Sequence, residues 1–118
     1  MTTLQQRRVT RHDTNCNAQV QIGSVVMEGK ILDYSKLGAF FTPEISHVDG
    51  RLIQGDDALD SLAQHDVCSV RLLGRGGETT VEFMMESKWI GMSLHHGCFG
   101  VGFENLTQVD IQDVRKAA

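Results

Sequence analysis

A chain of 118 residues, 41% hydrophobic and 22% charged, is sized for one ordinary globular domain with a modest core rather than for two. No apolar run approaches the ~20 residues of a membrane span and no apolar leader opens the chain, so a cytoplasmic protein without direct membrane insertion is expected. The formal net charge of −4 argues against a binder of nucleic acid polymers, which shows a broad basic face.

Residues 1–14 are polar and aperiodic and read as a flexible N-terminal arm. Positive charge is concentrated there: the first twelve residues hold three arginines, Arg7, Arg8 and Arg11, and no acid. Arg7 and Arg11 would stand roughly 5–6 Å apart at Cβ on a helical turn, or about 13 Å apart at Cα in extended chain. Either spacing lets two guanidinium forks grip one small anion.

Ala18–Ile22 alternates and predicts a first strand, Gly23-Ser24 a turn, and Val25–Leu32 the returning strand. That strand delivers Asp33-Tyr34-Ser35-Lys36-Leu37-Gly38. In extended chain Asp33 and Ser35 point the same way and could address one ligand side by side. A turn in which both cap local backbone N–H groups is the alternative. Gly38, lacking Cβ, permits positive φ or a close approach.

Gly38–Thr42 predicts the third strand, stopped by Pro43. Over residues 44–65 the alternation weakens, with loop signals at Asp49-Gly50 and Gly55-Asp56 and a short helix expected over Asp57–Gln64, Leu59 and Leu62 on one face. The segment is acidic (Glu44, Asp49, Asp56, Asp57 and Asp60 against Arg51), and reads as a surface loop or a partner surface.

Val67–Leu73 is the fourth expected strand and Gly74–Gly77 a hairpin turn. Thr79–Trp89 is the fifth, with Val81, Phe83, Met85 and Ser87 on one face and Trp89 expected to pack into the barrel end. His95-His96-x-Cys98 holds ligand-type residues, but neighbours on a strand face opposite ways, so a turn is expected there rather than a metal site. Phe99–Phe103 reads as the closing strand, and Thr107-x-x-Asp110 opens a helix with Val109, Ile111 and Val114 on one side. Cys16, Cys68 and Cys98, an odd count without disulfide spacing, read as packed thiols. The expected architecture is all-β: a six-stranded antiparallel barrel over 15–105, preceded by the arm and followed by a short C-terminal helix in 106–118.

Arg7-x-x-x-Arg11 followed by Asp33-x-Ser35-x-x-Gly38 resembles the two signature motifs of the PilZ family, bacterial receptors for cyclic di-GMP. The arginine pair alone is a weak signal and the second motif a rarer one; their order and separation carry the resemblance. It continues through Val81–Trp89 and Gly100–Phe103, and so spans Arg7 to Asn105. The resemblance implies a stand-alone PilZ barrel. It gives Arg7 and Arg11 the phosphates and guanine Hoogsteen edges, Asp33 the guanine N1–H and N2–H₂, Ser35 a phosphate oxygen, and Gly38 room for the ligand. Arg8, outside the motif, is a further candidate contact. No catalytic residues, metal or cofactor are expected, because neither a nucleophile–base arrangement nor a two-metal set is visible. Output would pass through altered contacts with an unidentified protein partner, with a homodimer through the terminal helix as one option. The rival reading is a PilZ-like interaction module that does not bind cyclic di-GMP.

Overall fold

The computed structural model describes residues 12–54, 57, 59, 62, 65–74 and 76–107. Alternating side chains give each strand one face to bury, and the chain buries those faces by curling a sheet on itself. The strands are β1 (His12–Ile22), β2 (Val25–Tyr34), β3 (Gly38–Val48), β4 (Arg51–Gln54), β5 (Val67–Leu73), β6 (Thr79–Ser93) and β7 (Cys98–Asn105). All neighbours are antiparallel. The pairings β1–β2–β3–β7–β6–β5 return to β1, so six strands close a ring. This is the expected barrel, with β4 added outside the ring.

β3 makes that addition possible. One edge pairs with β2 along its length, while the other serves β7 over Gly38–Phe41 and β4 over Ile45–Val48. Residues 44–54 are therefore a hairpin rather than a loop, reversed by Asp49 and Gly50 at φ 51° and 80°. Pro43 does not end β3, because it lies beside a bulge between Glu28 and Gly29, where a missing N–H is tolerated. Leu59 is buried and Leu62 packs against the core; most of Asp57–Gln64, where a short helix is expected, lies outside the described residues. So does the expected C-terminal helix beyond Thr107. β1 begins at His12, reaching back into the segment assigned to the arm, because its ladder to β2 needs backbone groups and not apolar side chains.

Val20, Met27, Ile31, Phe41, Val70, Leu72, Met85 and Val101 fill the interior almost without exposure. Each such side chain contributes about 1.5–3 kcal/mol. On β6 the inward face is the one expected, with Phe83, Met85 and Ser87 buried. Cys16 and Cys68 are free and buried, and Cys98 is free at the start of β7. Loss of hydration pushes both buried thiols up, Cys68 to about 12 with help from the Asp66 carboxylate.

Candidate ligand site

The site grows from an irregularity in β2. A bulge between Ile31 and Asp33 shifts the pairing with β3, so Tyr34 enters the core cluster while Asp33 stands outside it. Asp33 pairs with Phe40 of β3, Phe40 with Gly102 of β7, and Gly102 with Trp89 of β6. These residues form one lateral row across four strands of the outer wall, extended on β1 by Asp13, the partner of Asp33. A Cβ at Gly102 would overlap the Trp89 indole. The missing side chain lets the indole lie over β7 and stack on Phe40, centroids 5.5 Å apart and planes 19° apart. Trp89 is thus 45% exposed on the outer wall rather than packed into the barrel end. The shift of register between Ser87 and Trp89 turns it outward.

Asp33, Ser35 and Gly38 all lie at the β2–β3 connection, but Asp33 and Ser35 do not stand as two parallel side chains. β2 ends at Tyr34, so the two-residue period stops before Ser35. The Ser35 hydroxyl accepts the N–H groups of Leu37 and Gly38 at 3.2 and 3.3 Å, and the Ser35 N–H donates to the Gly38 carbonyl at 2.8 Å. Local capping is therefore the arrangement observed for Ser35. Gly38 serves a close approach between strands: a Cβ there would overlap the Phe103 carbonyl oxygen of β7.

Asn105, at the end of β7, anchors this turn. Its side-chain amide donates to the Tyr34 hydroxyl and to the Ser35 and Lys36 carbonyls at 3.2, 3.1 and 3.0 Å, and its backbone N–H donates to the Leu37 carbonyl at 2.7 Å. Nothing in the sequence gave Asn105 this role, beyond its place at the end of the resembling stretch. His96 is the second residue that pattern reading missed. The turn between β6 and β7, expected at His95-His96, brings the His96 Nε2 to 2.6 Å from the Asp33 Oδ2. The imidazole lies nearly parallel to the Phe40 ring, 5.3 Å between centroids and 11° between planes. His95 stands edge-on to His96, and its Nε2 lies 3.6 Å from the Asp13 Oδ1, both side chains being exposed.

The electrostatics of this ledge are lopsided. Its described side chains offer two carboxylates, two imidazoles and, on the turn itself, Lys36. Arg71 is paired with Glu82, and Lys88 with Glu86 and Glu104. Beyond Lys36, positive charge for a dianion must come from elsewhere. Arg7, Arg8 and Arg11 lie outside the described residues. The polypeptide that carries them joins β1 at His12, whose strand partner is Tyr34.

A separate cleft of about 280 Å³ lies toward the other end of β2 and β3, lined by Asn17, Glu28, Gly29, Glu44 and Gly74 among others. Its two carboxylates suit an anion poorly. Among the described residues, no group of three or more His, Cys, Asp or Glu side chains could hold a metal ion, and no helix is long and apolar enough to cross a membrane.

No protein-family model and no curated protein matches this sequence. Among solved structures, the barrel is similar to the Bacillus subtilis inhibitor of motility (MotI/DgrA), with a TM-score of 0.58 and 12% identity. The match covers 93% of this chain and 48% of that one, so this chain spans about half the length of its neighbour. At that identity, the barrel fold is what the two chains are shown to share.

Proposed function

We propose that this chain is a cyclic di-GMP receptor of the PilZ type, a cytoplasmic adaptor that acts through altered contacts with a protein partner. The observation that carries the reading is the register His12↔Tyr34. It sets the residue that follows Arg11 opposite the start of the Asp33–Gly38 turn, which supports a reading in which the two motifs serve one ligand. The turn carries one cation, Lys36, whereas the segment ahead of His12 carries three arginines. A dianionic dinucleotide would supply what each half needs: phosphates for Arg7 and Arg11, and guanine donors for Asp33. Control of motility, biofilm or exopolysaccharide is the output this reading suggests, and a motility inhibitor with a similar barrel agrees with the first of these.

Calorimetric titration with cyclic di-GMP tests the assignment. Arg7→Ala or Arg11→Ala should weaken binding at least about tenfold, since hydrogen bonds to charged groups contribute about 1.5–3 kcal/mol each. Asp33→Ala should cost a similar amount and let cyclic di-AMP compete better. Arginine variants that bind like the wild type would overturn the assignment. One observation favours the rival, a ligand-independent interaction module: Asp33 and Ser35 already have partners within the chain. Absence of any binding by the wild type would select it.

A further inference from the structure

We infer that His96 is an internal surrogate for the ligand's base and must leave Asp33 before guanine can bind; this rests on the cyclic di-GMP reading above. The Asp33 side chain is 8% exposed and that of His96 13%, so the imidazole covers the carboxylate it contacts. Its arrangement is the one a guanine would adopt there. A flat aromatic ring points a ring nitrogen at the Asp33 Oδ2 and lies parallel to Phe40, which is itself almost fully buried. Guanine offers the same planar face with two adjacent donors in place of one. Binding is then an exchange of partners at one carboxylate, and the measured affinity is lowered by the fraction of molecules in which His96 occupies it.

The turn that carries His96 is built to allow this. The backbone bonds that shape it, Gly97 N–H to the Ser93 carbonyl and His96 N–H to the Ser93 hydroxyl, stay within the hairpin. Its tip residue Leu94 is 95% exposed. His96 can swing outward without breaking a pair of the β6–β7 ladder, which ends at Ser93↔Cys98. A mere structural brace would behave in the opposite sense, since removing it would disorder the carboxylate and weaken binding.

The full chain, wild type and His96→Ala, should be titrated with cyclic di-GMP by calorimetry. His96→Ala is expected to bind about tenfold more tightly, the cost of breaking one charge-assisted hydrogen bond having been removed. Equal or weaker binding by the variant, with the wild type still binding, overturns the latch and leaves the receptor reading standing. If neither protein takes up the dinucleotide, the receptor reading fails and the latch with it. A measurement on the wild type alone covers the case of a variant that does not fold. The His96 ring N–H, followed by nitrogen-edited NMR, should lose its protection from solvent exchange at saturating cyclic di-GMP. Persistence of a protected signal in the saturated complex also overturns the latch.

Discussion

At one end of β2 the chain reverses through Gly23 and Ser24; at the other it passes through Ser35, Lys36 and Leu37 into Gly38. The first turn relies on a backbone angle, Gly23 at φ 55°, with nothing within 4 Å of where a Cβ would stand. One backbone bond, from Asp49 N–H to the Ser24 carbonyl at 3.3 Å, ties it to its surroundings. No residue from Asp33 to Gly38 has positive φ. That turn is held instead by the Ser35 hydroxyl, by the Asn105 amide and by the close approach of β7 at Gly38. Reversing a chain requires little. A connection fixed from several directions keeps its groups from drifting, which the proposed ligand site would require.

Substitutions can break that contrast. Gly38→Ala should be the most damaging, by about 3 kcal/mol, because its Cβ meets backbone that cannot move without parting β3 from β7; urea unfolding measures this. Asn105→Ala should cost about 2 kcal/mol, as the turn carbonyls lose their shared donor. Gly23→Ala, at the simple turn, should cost about 1 kcal/mol from its left-handed angle alone. Equal losses at Gly23 and Gly38 would erase the distinction between the turns.

Two smaller effects sharpen it by testing the wall away from both turns. Hydrogen bonds from His65 and then Lys88 hold the Glu86 carboxyl below the usual carboxylate range. A carboxyl lowered by folding adds stability above its unfolded pKa, and that stability is lost as pH falls through its folded value. Glu86→Gln should therefore flatten the acid side of the stability profile slightly, and leave a smaller gap between neutral and acid unfolding midpoints. Alkylation should reach Cys98 before Cys16 or Cys68, whose thiols are buried and raised; mass spectrometry of the modified chain reads this order.

The barrel was legible in the sequence because burial on one face writes a period of two, as at Ala18–Ile22 and Thr79–Ser87. Where that period did not govern, the reading missed. β1 from His12 to Asn17 carries polar residues on a backbone ladder, and β4 pairs through Arg51–Gln54 with little to bury. Trp89 was misplaced because a bulge just before it exchanges the inside and outside of β6. Within the candidate site, local spacing marks Asp33, Ser35 and Gly38; Ser35 and Gly38 bond each other across the turn, while Asp33 bonds His96 instead. Asn105 and His96 reach the same turn from far along the chain, 70 and 63 residues away from Ser35 and Asp33 respectively, a closeness that only strand pairing creates.

The receptor function proposed above requires the cationic segment ahead of β1 to close over a dianionic dinucleotide at the Asp33–Gly38 turn. Limited trypsin digestion at Arg7, Arg8 and Arg11, with and without saturating cyclic di-GMP, tests it most directly. Cleavage there should slow markedly when the dinucleotide is bound. Equal rates in the two conditions would contradict the account, even if binding itself were real.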